Sequence, residues 1–228
     1  MQISKECKRG FQLSLPTFFA YFPLGLVYAV LWIKAGFPGF WAPITSLFVY
    51  AGAVQFAALS MMQEHAGFIA ILLASSFIAS RSLFYGLSLI ERFKPKPKWL
   101  KAFLIFGIVD ATYAIFMVNP ESEEYDDNKL CFFVSLFPYV YWVAGTVLGL
   151  LLYKSIPEFK GLDFMLTSFY MILVTDYYLV SRNVLSLIMP LVFVAIWYLL
   201  LPHEYLLLSI VSSVFFIYFF EVRNKEQS

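Results

Sequence analysis

The chain has 228 residues, of which 61% are hydrophobic and only 14% charged. An ordinary soluble domain is about half apolar and about a quarter charged, so this composition excludes that class. The net charge of +1 points to no nucleic-acid partner and leaves the distribution of charge as the informative quantity.

The apolar residues come in blocks of about 20, the length of helix that crosses a bilayer core roughly 30 Å thick. The first block runs from Phe11 to Ile33 behind Lys5, Lys8 and Arg9. It is too long for the apolar part of a cleaved leader and reads as a retained first helix. Pro16 and Pro23 lie seven residues apart, near one helix face, with Gly25 just after. Proline removes a backbone hydrogen bond, so this block is the expected place for a broken or re-entrant helix. The alternative is a kinked but ordinary span.

The second block, Trp41 to Met62, holds VYAGAVQFAALS. Gln55 is a lone amide that needs partners in apolar surroundings. Gly52, between Ala51 and Ala53, leaves room for a backbone or a ligand, and Tyr50 brings a hydroxyl. A substrate-lining face and simple helix packing both fit. The third block, Gly67 to Ile90, carries Arg81 in its interior.

The connection ERFKPKPKWLK, Glu91 to Lys101, holds Arg92, Lys94, Lys96, Lys98 and Lys101. The positive-inside bias assigns it to the cytoplasm, and assigns the basic N-terminus there too. Three full crossings between them would put them on opposite sides. Either the N-terminal signal yields or one of the three blocks is not a simple span. The fourth block, Leu100 to Val118, contains Asp110, and the acidic connection Glu121 to Asp127 is then expected on the side opposite the lysines.

The fifth block runs from Leu130 to Tyr153. Its AGTVLGLLLYKSIPEF faintly repeats PLGLVYAVLWIKAGF of the first, with glycine before an aliphatic run and lysine after it. The sixth, Leu162 to Val180, opens at Asp163, a helix-capping residue by position. Asp176 near its end, with Tyr177, Tyr178 and Arg182, marks a membrane–water boundary. Val184 to Leu201 and Tyr205 to Phe220 close the chain, and their short join at Pro202 makes the count seven or eight. The fold class is therefore all-α, a polytopic transmembrane helical bundle forming one integral membrane domain over residues 1–228.

Arg81 and Asp110 are opposite charges in the most apolar stretches. Ionisable residues at membrane depth cost several kcal/mol, and they face a cavity or each other. They read as an interhelical lock, as a substrate site, or as a proton-coupling pair. Cys7 and Cys131 are too few for a disulfide framework or a metal site, and His65 and His203 stand alone in polar connections. No metal-binding helix motif, nucleophile elbow or phosphate loop is present, so neither an enzyme nor a cofactor is expected.

PLG at Pro23 to Gly25, VYAGAVQFAA from Val49, SRSLFYGLSL from Ser80, VDATY from Val109 and GLDFMLTSFY from Gly161 follow one another in order. In this the chain resembles AzlC-type proteins, the large subunits of branched-chain amino acid exporters. It departs from them at Ala79 and Ser82, where the family has asparagine and histidine, and at Ala111, where glutamate is common. These departures flank the two charges and bear on the substrate more than on the fold. The resemblance implies efflux of leucine, isoleucine, valine or a related amino acid across the cytoplasmic membrane, with a small AzlD-type membrane subunit as partner. On that reading Arg81 holds the carboxylate, Asp110 the ammonium or a coupled proton, and Gln55 orients one of them. The competing reading is a membrane scaffold or pore subunit, although no charge ring or carbonyl filter of a channel is visible.

Overall fold

The computed structural model describes residues 4–121, 124–154, 171, 184–200, 208–209, 212–213 and 215–216. Among these every regular element is a helix and no strand occurs. The sixth block, with Asp163 and Asp176, and most of the eighth lie outside the described residues. The chain divides into two compact units, Met1–Ala66 with Ser75–Phe159, and Gly67–Ala74 with Lys160–Ser228. The second contains α10 (Leu185–Leu200), with Trp197 Nε1 donating to Ser212 Oγ at 3.0 Å.

The first unit is built on two long helices, α1 (Lys5–Lys34) and α9 (Asp127–Leu152). Each starts at a side-chain cap. Ser4 Oγ accepts from the Cys7 amide, and the Asp126 carboxylate accepts from the Asn128 and Lys129 amides. These caps satisfy amides that the first helical turn leaves free. Contacts between the two helices advance together. Phe11 meets Phe137 with ring centroids 5.5 Å apart, Phe18 meets Tyr141 at 5.2 Å, and Gly39, just past α1, abuts Leu150. The pair is therefore parallel.

Glycine permits this approach. A Cβ on Gly25 would collide with the Trp142 carbonyl, and one on Gly145 with the Phe22 carbonyl; one on Gly149 would lie 2.9 Å from Leu26 Cα. The two stretches that look like a repeat are thus the two faces of one contact. α1 runs unbroken through Pro16 and Pro23, so the break expected in the first block is not there. Ser14 and Thr17 hydroxyls donate to carbonyls at Gly10 (2.8 Å) and Ser14 (2.6 Å) around Pro16, and α9 holds the helix along its length. Neighbouring helices and hydroxyls are what make proline tolerable at membrane depth. Gly25 is a packing contact rather than a hinge.

The breaks fall in the second and fourth blocks instead. The second is split into α2 (Trp41–Phe48) and α3 (Gly52–Gln63). Gln55 Nε2 donates to Ser46 Oγ at 3.3 Å across the split. In a straight helix nine residues would separate them by about 13 Å along the axis, so the chain turns back sharply at Val49–Ala51. The fourth is split into α7 (Lys98–Phe106) and α8 (Asp110–Val118), bent by 119° at residues 107–109. Between them α4 (Phe68–Ala79) and α5 (Arg81–Ser88) together make one apolar stretch of 21 residues, followed by the single turn of α6 (Ile90–Phe93). Three helical stretches are long and apolar enough to cross a membrane, or four if the bent pair counts as one. The expected count of seven or eight apolar blocks takes in the sixth and eighth, which lie wholly or mostly outside the described residues.

Ion pairs fix the topology. Arg92 Nη2 lies 2.6 Å from Asp127 Oδ1, Lys96 also pairs with Asp127, and Arg92 Nη1 donates to the Phe116 and Asn119 carbonyls. The basic connection, the end of α8 and the start of α9 therefore share one end of the molecule. α1 starts there as well, since Gly10 packs on Phe133. The acidic connection reaches the lysine side, contrary to the expectation from four full crossings. Crossings must then cancel within α7–α8, which leaves and returns on the same side. The turn at Val49–Ala51 likewise folds α3 back towards α2. The α7–α8 hairpin thus leaves the acidic connection beside the lysines.

Candidate functional site

Two interruptions of the helices carry residues singled out by sequence. Asp110 is the first residue of α8, directly after its break, and Arg81 is the first of α5, directly after the interruption at Ser80. Arg81 Nη2 stands 2.9 Å from Asp110 Oδ2, with the two side chains 39% and 41% accessible. A carboxylate in the first turn of a helix sits among free amides at the positive end of the helix dipole.

The break itself is held by Thr112, which is fully buried. Its Oγ1 accepts from the Val109 amide at 2.9 Å, and the hydroxyl lies 2.8 Å from the Gly107 carbonyl. A β-hydroxyl three residues into the helix closes the turn that the missing helical bonds leave open. Gly107 lets this tip press against α9, since a Cβ there would come within 3.1 Å of Ser135 Cβ.

Aromatic rings join the two tips. Tyr50, in the α2–α3 break, packs on Tyr139 at 5.1 Å, Phe106 at 6.1 Å and Tyr21 at 6.4 Å between centroids. Phe106 closes α7 at the other break. Tyr21, Tyr50 and Tyr85 all lie near enough to Asp110 to feel its charge, and Tyr85 stacks on Tyr113 at 4.4 Å. The Tyr50 hydroxyl is buried with no hydrogen-bond partner among the described residues. Leaving a buried hydroxyl unpaired costs about 1–3 kcal/mol, which a bound polar group or water would recover.

Gln55 and Gly52 belong to a neighbouring string. Gln55 donates to Ser46 Oγ, Ser46 and Thr146 hydroxyls pair at 2.9 Å, and Thr146 donates to the Trp142 carbonyl at 2.9 Å. Gly52 faces the Trp142 ring, where a Cβ would stand 2.9 Å from Cη2. Gln55 Oε1 and Trp142 Nε1 are buried without partners among the described residues. Among the described residues Gln55 bonds into this string and not onto the Arg81–Asp110 pair. The structure thus pairs Arg81 with Asp110, sets Tyr50 among Tyr21, Phe106 and Tyr139, and sets Gln55 and Gly52 beside α9.

Sequence reading did not single out Tyr21, Ser46, Trp142 or Thr146. Each sits in an apolar block where one aromatic or hydroxyl residue is unremarkable, and helical period alone does not say which partner helix it meets. Among the described residues no group of three His, Cys, Asp or Glu is placed to hold a metal ion, and Cys7 and Cys131 are both free thiols.

With this geometry in view, comparison with known proteins is decisive on one point. The profile described as AzlC protein matches residues 16–156, more than half the chain. The chain belongs to the AzlC family. A Haemophilus influenzae protein described as an uncharacterized membrane protein is 26% identical over 219 residues, covering 94% of this chain and 88% of the relative. A Helicobacter pylori membrane protein is 27% identical over 205 residues, 90% of each chain. The Bacillus subtilis branched-chain amino acid transport protein AzlC is 27% identical over 184 residues, 80% of this chain and 72% of that one. No solved structure matches. This AzlC-family chain is a multi-pass membrane protein, and its matched region takes in both hairpins and the Arg81–Asp110 pair.

Proposed function

We propose that this protein is a transporter subunit that exports branched-chain, or similarly apolar, amino acids across the cytoplasmic membrane of a bacterium. It is ion-coupled and works with a small AzlD-type membrane subunit. The observation that carries the reading is the Arg81–Asp110 pair, 2.9 Å apart between interrupted helices and partly accessible rather than sealed. A zwitterion needs one cationic and one anionic handle, and a branched side chain needs an apolar surround. Arg81 takes the carboxylate through its planar fork of donors, and Asp110 takes the ammonium or the coupled proton. Tyr50 offers its unpaired hydroxyl to the same ligand. Gln55 acts from the neighbouring string, by holding the α2–α3 tip. A single-domain organisation over residues 1–228 is part of this proposal.

The accessibility of the pair also bears on the scaffold reading. A lock between helices gains most when buried and fully paired, whereas a substrate site must open. The test is efflux of labelled leucine, isoleucine and valine from dipeptide-loaded cells that express the chain with its small partner, with and without a proton uncoupler. Faster efflux that the uncoupler abolishes supports the reading. Unchanged efflux from correctly inserted protein removes this substrate class, and normal efflux from both Arg81→Ala and Asp110→Asn removes the site assignment.

A further inference from the structure

The second ionic cluster, Arg92, Lys96 and Asp127, has no part in the proposed substrate site, and its construction is unusual for a mere loop anchor. The last turn of a helix leaves its carbonyls without amide partners. At the end of α8 two carbonyls in this position, on Phe116 and Asn119, are capped by one side chain from elsewhere, Arg92, at 3.1 and 2.7 Å. The same guanidinium reaches Asp127 Oδ1 at 2.6 Å on the first turn of α9, and lies 5.2 Å over the Phe116 ring. Burial works most strongly against the Arg92 charge, but the hydrogen bond to Asp127 and the charges of Asp127, Cys131 and Glu121 together hold the guanidinium above its usual range. Among the described residues, the hydrogen bonds that tie the end of α8 to another element all come from Arg92.

Two cations share one carboxylate here. Lys96 pairs with Asp127 and approaches Asn128 Oδ1 at 3.5 Å. Arg92 can therefore leave without stranding Asp127 as a lone buried charge. Beneath the cluster, Leu100, Leu104 and Phe116 of the hairpin cover Leu130, Cys131 and Val134 of α9. Cys131 is fully buried, with its Sγ 3.4 Å from Asp127 Oδ2. At the opposite end of α8 stands Asp110.

We propose that the α7–α8 hairpin is a gate at the basic end of the molecule, latched shut by Arg92 across the end of α8 and the start of α9, and that its opening uncovers Cys131. The latch rests on this geometry alone. It stands or falls whichever substrate the protein carries, because its readout is thiol exposure and not efflux.

The experiment follows maleimide labelling of Cys131 by intact mass, in full-length detergent-extracted protein carrying Cys7→Ser. Labelling is expected to be slow in that background. It should become at least about tenfold faster in Arg92→Gln, the factor that losing one or two hydrogen bonds gives a local opening. Lys96→Gln leaves every Arg92 contact in place and should label at the background rate. Background-rate labelling of a monodisperse Arg92→Gln protein overturns the proposal, and so does equal acceleration by Lys96→Gln, which marks general loosening. Where Arg92→Gln does not insert, Arg92→Lys carries the test. It keeps the charge but cannot hold both carbonyls and the carboxylate, so about threefold acceleration is expected, and none overturns the latch.

Discussion

The two ionic sites of this protein are made from the same residue types and are built in opposite ways. Arg92, Lys96 and Asp127 are nearly sealed, with side chains 11%, 3% and 18% accessible. Their donors go to carbonyls and carboxylates that would otherwise be unpaired. Arg81 and Asp110 are about two-fifths accessible and meet through one close contact. The lesson is that charge in an apolar block does not by itself mark function. A saturated cluster holds elements together, while the accessible pair beside interrupted helices is the one proposed to meet a ligand.

Asp127→Ala should break the comparison most severely. It strands two buried cations, and losing one partner of a buried pair costs about 3–5 kcal/mol. A sharp fall in thermal midpoint and in the yield of monodisperse extracted protein is expected. A midpoint within a few degrees of the parent would mean that the cluster is not sealed.

Arg81→Ala should do the reverse, leaving the thermal midpoint nearly unchanged and lowering efflux about a hundredfold, as expected when a charged partner of the ligand is lost. Joining it with Asp110→Asn should not restore efflux. Recovery in the double variant would make the pair a structural lock and return the scaffold reading.

Gly52→Ala tests the packing of α3 on α9. The added methyl meets the Trp142 ring at 2.9 Å, and crowding of this kind costs about 1–3 kcal/mol. Thermal unfolding should register that loss, with a larger residue at the same position doing worse.

Gln55→Leu should have the smallest effect on stability. It removes the bond to Ser46 but also removes an unpaired buried Oε1. Losing both together is close to neutral, within about 1 kcal/mol. A drop of several kcal/mol in chemical unfolding would show that the string through Ser46 and Thr146 holds the α2–α3 tip.

How much of this could be read in advance differs residue by residue. Arg81 and Asp110 were legible because an ion in a twenty-residue apolar block demands a partner, and each was the other's best candidate. Tyr50 was legible as a hydroxyl beside a small-residue surface, but its packing on Tyr21 joins it to a helix far away in sequence. The prolines of α1 misled. Proline signals a missing hydrogen bond, yet whether a helix breaks depends on what supports it, and α9 supports α1 through Gly25, Gly145 and Gly149. The true breaks, at Val49–Ala51 and Gly107–Val109, carry no proline.

The amino-acid sequence by itself determined the solvent class, the helical state and the presence of two charges that need each other. Those follow from block length, hydropathy and the cost of bare charge in lipid, which are local quantities. It also contained the topological conflict between the two basic segments, without the means to resolve it. The tertiary structure alone decided that α2–α3 and α7–α8 turn back, that Asp127 reaches Arg92 across 35 residues, and that the acidic connection lies with the lysines. Those depend on which helix ends meet in space, and a chain's direction through a membrane is set by contacts between distant segments rather than by the composition of any one of them.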